Sequence, residues 1–234
     1  MTKELSHPVF AAIYNPVTWF AERTILRPHR ECLVQEFDGR VLDLGTGTGA
    51  MFPFFAEEND SNQAIEIHAI DPDPHMRKRA RRRAGKLDLD VEIRPARAES
   101  LPYPCDSFDV VIASMVFCTI PDVETAVDEV VRVLKPGGEF RFLEHVADDG
   151  WRRRIQGLLA PIWQRAAGGC HLTRRTPSIF VRAEALDVIE LERMSIGSTP
   201  VQPFVRGRLY HRQADNSRSF GIVGTETNPR EVRS

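Results

Sequence analysis

Five residues, Gly45-Thr46-Gly47-Thr48-Gly49, carry the clearest chemical signal in the chain. They follow a short apolar run, Arg40-Val41-Leu42-Asp43-Leu44, and precede a helical stretch over 50–57. A glycine-rich turn between a strand and a helix lets backbone approach a ligand and aims helix N-terminal amides at it. Two ligand patterns fit. Gly45-x-Gly47-x-x-Ala50 satisfies the dinucleotide pattern, and Gly45-x-Gly47-x-Gly49 with Asp43 two residues ahead satisfies an S-adenosylmethionine pattern. A tight turn without a ligand is the third reading. Asp43 favours the second, because a carboxylate beside the turn repels a pyrophosphate but attracts an ammonium and a sulfonium. Asp71, at the end of the next strand, is placed to accept from both ribose hydroxyls in either case.

These residues need elements to hold them. Residues 65–70 form a strand ending at Asp71-Pro72-Asp73-Pro74, and a basic helix follows over 75–86. Further strands are predicted at 91–94, 107–113 and 139–144. An amphipathic helix over 122–134 places Val123, Ala126, Val127, Val130, Val131 and Leu134 on one side. Pro136-Gly137-Gly138 turns the chain out of it. Alternating strands and helices give the α/β class: a doubly wound, mostly parallel Rossmann-like sheet with helices on both faces. Beyond residue 150 the pattern predicts helices at 151–167, with Pro161 inside, and 178–186, and strands near 188–195 and 204–211, seven strands in all. Residues 1–36 read as an N-terminal helical cover. The main domain spans 37–212 with an acceptor-side insertion at about 146–185, and the polar segment 213–234 reads as a disordered tail.

The 234 residues carry 27% charged side chains and a net charge of −2, which removes any bulk electrostatic case for nucleic acid. Residues 1–150 hold 17 basic and 26 acidic side chains, net −9, and residues 151–234 hold 14 and 7, net +7. The basic run from Arg77 to Lys86 lacks the interleaved aromatics of single-strand binders and reads as a solvated helix face. Residues 151–167 set Arg152, Arg153 and Arg154 against Ile155, Leu158, Leu159, Ile162 and Trp163. They read as a cover over the acceptor site or as a weak peripheral contact with an anionic membrane surface. Cys32, Cys105, Cys118 and Cys170 are widely spaced, which argues against a zinc site and a disulfide framework. No metal is expected, Cys118 and Cys170 are read as small buried apolar groups, and the expected compartment is the cytoplasm. No 18-residue apolar run and no secretory signal are present.

Three segments taken in order resemble class I S-adenosylmethionine-dependent methyltransferases. Val41-Leu42-Asp43-Leu44-Gly45-Thr46-Gly47-Thr48-Gly49 looks like their first motif. Ala98-Glu99-Ser100-Leu101-Pro102 with Asp106-Ser107-Phe108-Asp109-Val110-Val111 is similar to their adenine-side loop and fourth strand. Glu129 to Gly138 resembles the helix and turn before their fifth strand. The resemblance implies S-adenosyl-L-methionine as cofactor, with Asp43, Gly45, Thr46, Gly47, Gly49, Asp71, Pro72, Ala98, Glu99 and Ser114 around it. Phe142-Leu143-Glu144-His145-Val146, Gly169-Cys170-His171-Leu172-Thr173-Arg174 and Ile70 to Pro74 are similar to the methyltransferase-like thiol S-methyltransferases, which methylate small alkyl thiols. The long apolar anchor helix that begins that family is not found in residues 1–36.

The expected activity is methyl transfer to a small, fairly apolar acceptor, preferably a thiol. Alternatives are a quinone, phenol or lipid acceptor, an NAD(P)-binding oxidoreductase, and a non-catalytic S-adenosylmethionine-binding protein. Ligands of such sheets sit beyond the carboxyl ends of the strands. Glu144 and His145, at the end of the fifth strand, are therefore the candidates for a base or an orienting group, with His171 and Arg174 behind them.

Overall fold

The computed structural model describes residues 26–59, 65–166, 169–194 and 202–213. Most of the expected N-terminal cover and all but the first residue of the expected tail lie outside these. The elements are, in order, α1 (Arg27–Leu33), β1 (Gly39–Leu44), α2 (Phe52–Asn59), β2 (Ile65–Ile70), α3 (Pro74–Leu87), β3 (Glu92–Arg94), β4 (Phe108–Ser114), α4 (Val123–Val133), β5 (Leu134–His145), α5 (Gly150–Ala166), α6 (Thr176–Phe180), β6 (Leu186–Met194) and β7 (Phe204–His211).

Seven strands form one sheet in the order β3-β2-β1-β4-β5-β7-β6. Strands β1 to β5 pair in parallel, and β7 runs antiparallel to both β5 and β6. Strand order reverses between β1 and β4, so their carboxyl ends open the crevice where doubly wound sheets bind ligands. Alternation along each strand serves two cores. Leu42, Leu44, Val111, Phe140 and Phe142 pack with Ala126, Val130 and Val133 of α4 and Phe180 of α6. Val41, Ile67, Ala69, Val110 and Ile112 pack with Leu33, Phe52, Phe55, Ala80 and Ala84 on the opposite face.

Local chemistry sets the boundaries. In Asp71-Pro72-Asp73-Pro74 the second aspartate is the helix cap: its side chain accepts from the His75 and Met76 amides, with Pro74 opening α3. Asp122 caps α4 through the Thr125 amide. The helix expected over 178–186 is instead the short α6, started by Pro177 and ended before β6 begins at Leu186. A proline favours the first helical turn, so the start moves upstream, and the β-branched and apolar residues from Leu186 pair with β7 rather than extend the helix. Strand β5 begins at Leu134, earlier than the turn suggested, because Leu134 pairs with Phe108 ahead of the Pro136-Gly137-Gly138 irregularity.

Arg141, buried in β5, donates to the backbone carbonyls of Leu33, Gln35 and Glu36 and pairs with Glu139 at 2.8 Å. It thereby fastens the end of α1 to the sheet. The segment expected to be acceptor-side cover is tied in the same manner: the Gln156 side chain of α5 accepts from the Asp148 amide and donates to the Gln202 carbonyl. The apolar face of α5 is nevertheless open among the described residues, with Trp151, Leu158 and Ile162 exposed. No helix among the described residues is long and apolar enough to cross a membrane.

Candidate active site

Every expected site residue lies at the carboxyl edge of the sheet: Asp43 near the end of β1, Asp71 and Pro72 after β2, Ala98 and Glu99 after β3, Ser114 closing β4, and Glu144 and His145 closing β5. The glycine turn is built for two different neighbours. A Cβ on Gly45 would lie 2.6 Å from Val116 Cγ1, so this glycine lets the segment after β4 press against the turn. Gly47 has φ +56°, and a Cβ there would meet nothing nearer than 4.0 Å. Its backbone faces open space. Behind it, the Gly47 amide donates to Asp71 Oδ2 at 2.9 Å and the Asp73 amide to Asp71 Oδ1 at 2.8 Å. Asp71 thus joins the turn to the start of α3. Arg77 donates to the Asp71 carbonyl at 2.7 Å and is buried, which corrects the reading of the whole basic run as a solvated face.

Asp43 is buried, and its Oδ2 has no hydrogen-bond partner. Burial pushes its carboxyl up to about 7, against the pull of Thr46 and Arg30. Burial also lifts Asp71 to about 6, against the Asp73 and Gly47 amides. Arg30 went unnoticed in the sequence. It comes from α1, is buried, and donates through Nε to Ser114 Oγ at 3.0 Å. A buried arginine next to a buried carboxylate has no signature in local spacing. On the β3 side, the Leu101 amide donates to Glu129 Oε2, and Arg132 bridges Glu129 to the Tyr103 and Leu101 carbonyls, fixing the loop that carries Ala98 and Glu99.

The expected acceptor side is assembled from three separate stretches of chain. Glu144 Oε1 accepts from the Val116 and Phe117 amides at 2.7 and 2.8 Å, so this carboxylate clamps the segment after β4. Its Oε2 is buried without a partner, and burial raises the group to about 7. The His171 amide donates to the Cys118 carbonyl at 2.9 Å, and Arg174 donates to the Phe117 and Ile120 carbonyls. Arg174, expected behind Glu144 and His145, acts on carbonyls, because the turn after β4 leaves those groups facing it. These ties bring Cys118 and Cys170 to His145, whose Nε2 lies 2.9 Å from Cys170 Sγ. The ligating atoms of all three residues fall within 4.8 Å of one another, and all three are buried. The cysteines are buried as expected but are not inert packing. Hydrogen bonding from Cys118 and His145, working against burial, lowers the Cys170 thiol to about 5. Hydrogen bonding to Cys170 and burial push Cys118 up. Burial opposes the charged form of His145, yet the Cys170 sulfur outweighs it and raises the imidazole. Wide spacing in sequence hid this group, since its members meet only when the 169–174 loop folds over the ends of β4 and β5.

Residues 42–142 match the model of a methyltransferase domain family. The chain is 32% identical over 174 residues to the thiol S-methyltransferase TMT1B of Rattus norvegicus, covering 72% of this chain and 69% of that protein. It is 38% identical over 105 residues to the demethylmenaquinone methyltransferase of Deinococcus radiodurans, covering 45% of this chain and 42% of the relative. Among solved structures, the YcgJ protein of Bacillus subtilis superposes with a TM-score of 0.63 at 20% identity, over 81% of this chain and 98% of that one.

Proposed function

Because the chain belongs to the class I S-adenosylmethionine-dependent methyltransferases, we propose that its acceptor is a small, fairly apolar thiol, methylated on sulfur. The residues fit the donor. S-adenosylmethionine bears an ammonium and a sulfonium and no phosphate; Asp43 offers a buried carboxylate oxygen without a partner, and the missing side chain of Gly47 leaves room for a ligand to approach the turn. When bound, the donor supplies a methyl group activated by the positive sulfur. Asp43, Thr46 and the glycines Gly45, Gly47 and Gly49 hold its amino-acid end. Asp71 and Pro72 hold the ribose, Ala98 and Glu99 the adenine, and Ser114, oriented by Arg30, closes the floor. Displacement at carbon needs nucleophile, carbon and leaving sulfur in line and water kept out, so holding and burial are the main tasks of these residues.

One observation favours a thiol. Both groups at the end of β5 that could serve as a base are held and withdrawn: Glu144 Oε1 accepts from two amides, His145 Nε2 meets a sulfur, and the remaining atoms, Glu144 Oε2 and His145 Nδ1, are buried. A thiol of pKa ~8.5 is roughly one-tenth ionised at pH ~7.5, whereas a phenol of pKa ~10 is ionised only about 1 part in 300. The acceptor that least needs a base suits this site best. Similarity to thiol S-methyltransferases over most of the chain supports the same reading. The exposed apolar face of α5 beside Arg152, Arg153 and Arg154 favours a second reading, a quinol or lipid acceptor met at a membrane surface. Radiolabelled methyl donor offered with alkyl thiols, phenols, quinols and amines tests both. The expected result is turnover on alkyl thiols; label appearing only in quinols or lipids would overturn the first reading in favour of the second.

A further inference from the structure

We propose that Cys118, His145 and Cys170 bind one zinc ion, and that the fourth coordination position takes the acceptor thiol as its thiolate. The second half rests on the thiol reading above; the first does not.

The donor set comes first. Two sulfurs and an imidazole suit a borderline-soft divalent ion such as zinc and do not suit magnesium or calcium, which take oxygen ligands. Two thiolates also cancel the charge of the ion, which lets the group lie buried. Spacing is close to what an ion needs. Zn–S bonds of about 2.3 Å and Zn–N bonds of about 2.0–2.1 Å in a tetrahedron set ligating atoms roughly 3.5–3.8 Å apart. His145 Nε2 and Cys170 Sγ are in direct contact at 2.9 Å and would part by about half an ångström around an ion, and the Cys118 sulfur lies within 4.8 Å of both.

Each ligand stands on a segment held by backbone ties. His145 ends β5, where its backbone pairs with Phe204. Cys118 sits in the segment that Glu144 clamps at Val116 and Phe117 and that Arg174 holds at Phe117 and Ile120. The 169–174 loop is joined to Cys118 by the His171 amide. Anchors on both sides of a group give the preorganisation a metal site requires.

Among the described residues no further histidine, cysteine or carboxylate joins the three. Three protein ligands with one open position is the arrangement of catalytic rather than structural zinc. The group lies buried at the carboxyl ends of β4 and β5, the edge of the sheet where the acceptor is proposed to enter. A thiol that coordinates is deprotonated outright. Its S–H bond gives way to a metal–sulfur bond, and the proton leaves to solvent. The thiolate sulfur then forms the new S–CH3 bond as the donor's S–CH3 bond breaks, the electron pair passing to the donor sulfur, which becomes neutral. The thioether product has lost the charge that held it and dissociates. No side-chain base is required, in keeping with the burial of Glu144.

The test begins with metal content. Protein purified without chelator is analysed for zinc, stripped, and titrated with zinc alone, in parallel with Cys118→Ser, Cys170→Ser and His145→Ala. One zinc per chain is expected in the parent. Loss of a direct ligand should weaken zinc affinity by at least about 100-fold, since losing a group that merely orients a ligand already costs about 10–100-fold. Unchanged S-adenosylhomocysteine affinity shows that the variants are folded. Cobalt is then loaded in place of zinc, and its visible absorption is followed as an alkyl thiol is added. A spectral change that saturates with thiol supports the open position. Substoichiometric metal, or a Cys118–Cys170 disulfide in its place, would overturn the proposal, and full thiol turnover by stripped protein would overturn its thiolate half. A cobalt spectrum indifferent to thiol would overturn the thiolate half. Failure of the thiol reading looks different: metal bound normally and methyl transferred to quinols or amines but to no thiol, in which case the thiolate half falls and the metal site stands.

Discussion

At the residue scale, Asp71 combines two tasks. Its carboxylate holds the Gly47 and Asp73 amides and is proposed to accept from the ribose hydroxyls. Losing a charged acceptor costs about 1.5–3 kcal/mol, so Asp71→Ala should lower donor affinity roughly 10- to 150-fold. The Ala variant also leaves two amides without their acceptor and should melt lower. Asp71→Asn keeps one acceptor oxygen and should retain most of the stability while still losing affinity. Calorimetry with S-adenosylhomocysteine on both variants checks this. A folded Asp71→Asn protein with parental affinity would remove the residue from the donor site.

At the element scale, the glycine turn and the segment after β4 are two faces of one contact. Gly45 has φ +69°, and a Cβ there would strike Val116 at 2.6 Å. Gly45→Ala therefore meets two penalties: a positive φ, about 1–2 kcal/mol, and overpacking, about 1–3 kcal/mol. Shortening the neighbour relieves only the second. Val116→Ala alone should destabilise by loss of packing, yet in the double variant the two effects should be less than additive, with a coupling of about 1 kcal/mol or more. Urea denaturation of the four proteins measures it. Strict additivity would mean that the turn and the segment move apart freely, and that Gly45 is required only for its dihedral.

At the scale of the whole molecule, the carboxyl edge of the sheet gathers buried acids. Burial lifts Asp43 to about 7, Asp71 to about 6 and Glu144 to about 7. In each case the folded protein binds the proton more tightly than the unfolded chain. Their contribution to stability therefore falls as pH rises from about 4 to about 7, and is level above that. Glu129, held below the ordinary carboxylate range by its hydrogen bonds to Arg132, runs the other way and adds stability as pH rises through the acid range. The total is a difference of opposing slopes, so a single group is best isolated by substitution. Asp43→Asn removes one falling component. Its melting temperature relative to the parent should rise steadily between pH about 5 and about 7.5. Over the same window the parent's affinity for S-adenosylmethionine should increase, because a cationic donor favours the ionised carboxylates. A melting difference that does not vary with pH would mean that Asp43 ionises normally despite its burial.

The order of strands and helices, the glycine turn and the acids at the strand ends were legible in the sequence because each is a local matter. Period-two apolar runs, a Pro-Gly-Gly stop and an Asp-Pro helix start act within a few residues of themselves. Thus β2 was placed at 65–70, and α4 within a residue of its ends. The α6 boundary was misjudged where Pro177 competed with a weak helical pattern. Arg30 against Ser114, Arg141 under the end of α1 and Arg174 on the turn after β4 left no local trace, since each acts on atoms 54 to 108 residues away. The same holds for Cys118, His145 and Cys170. Spacing along the chain argued against a metal group, and only the folding of 169–174 over the ends of β4 and β5 joined them. Proximity of side chains on different strands is decided by sheet order and loop closure. Neither is encoded in the period of any one segment.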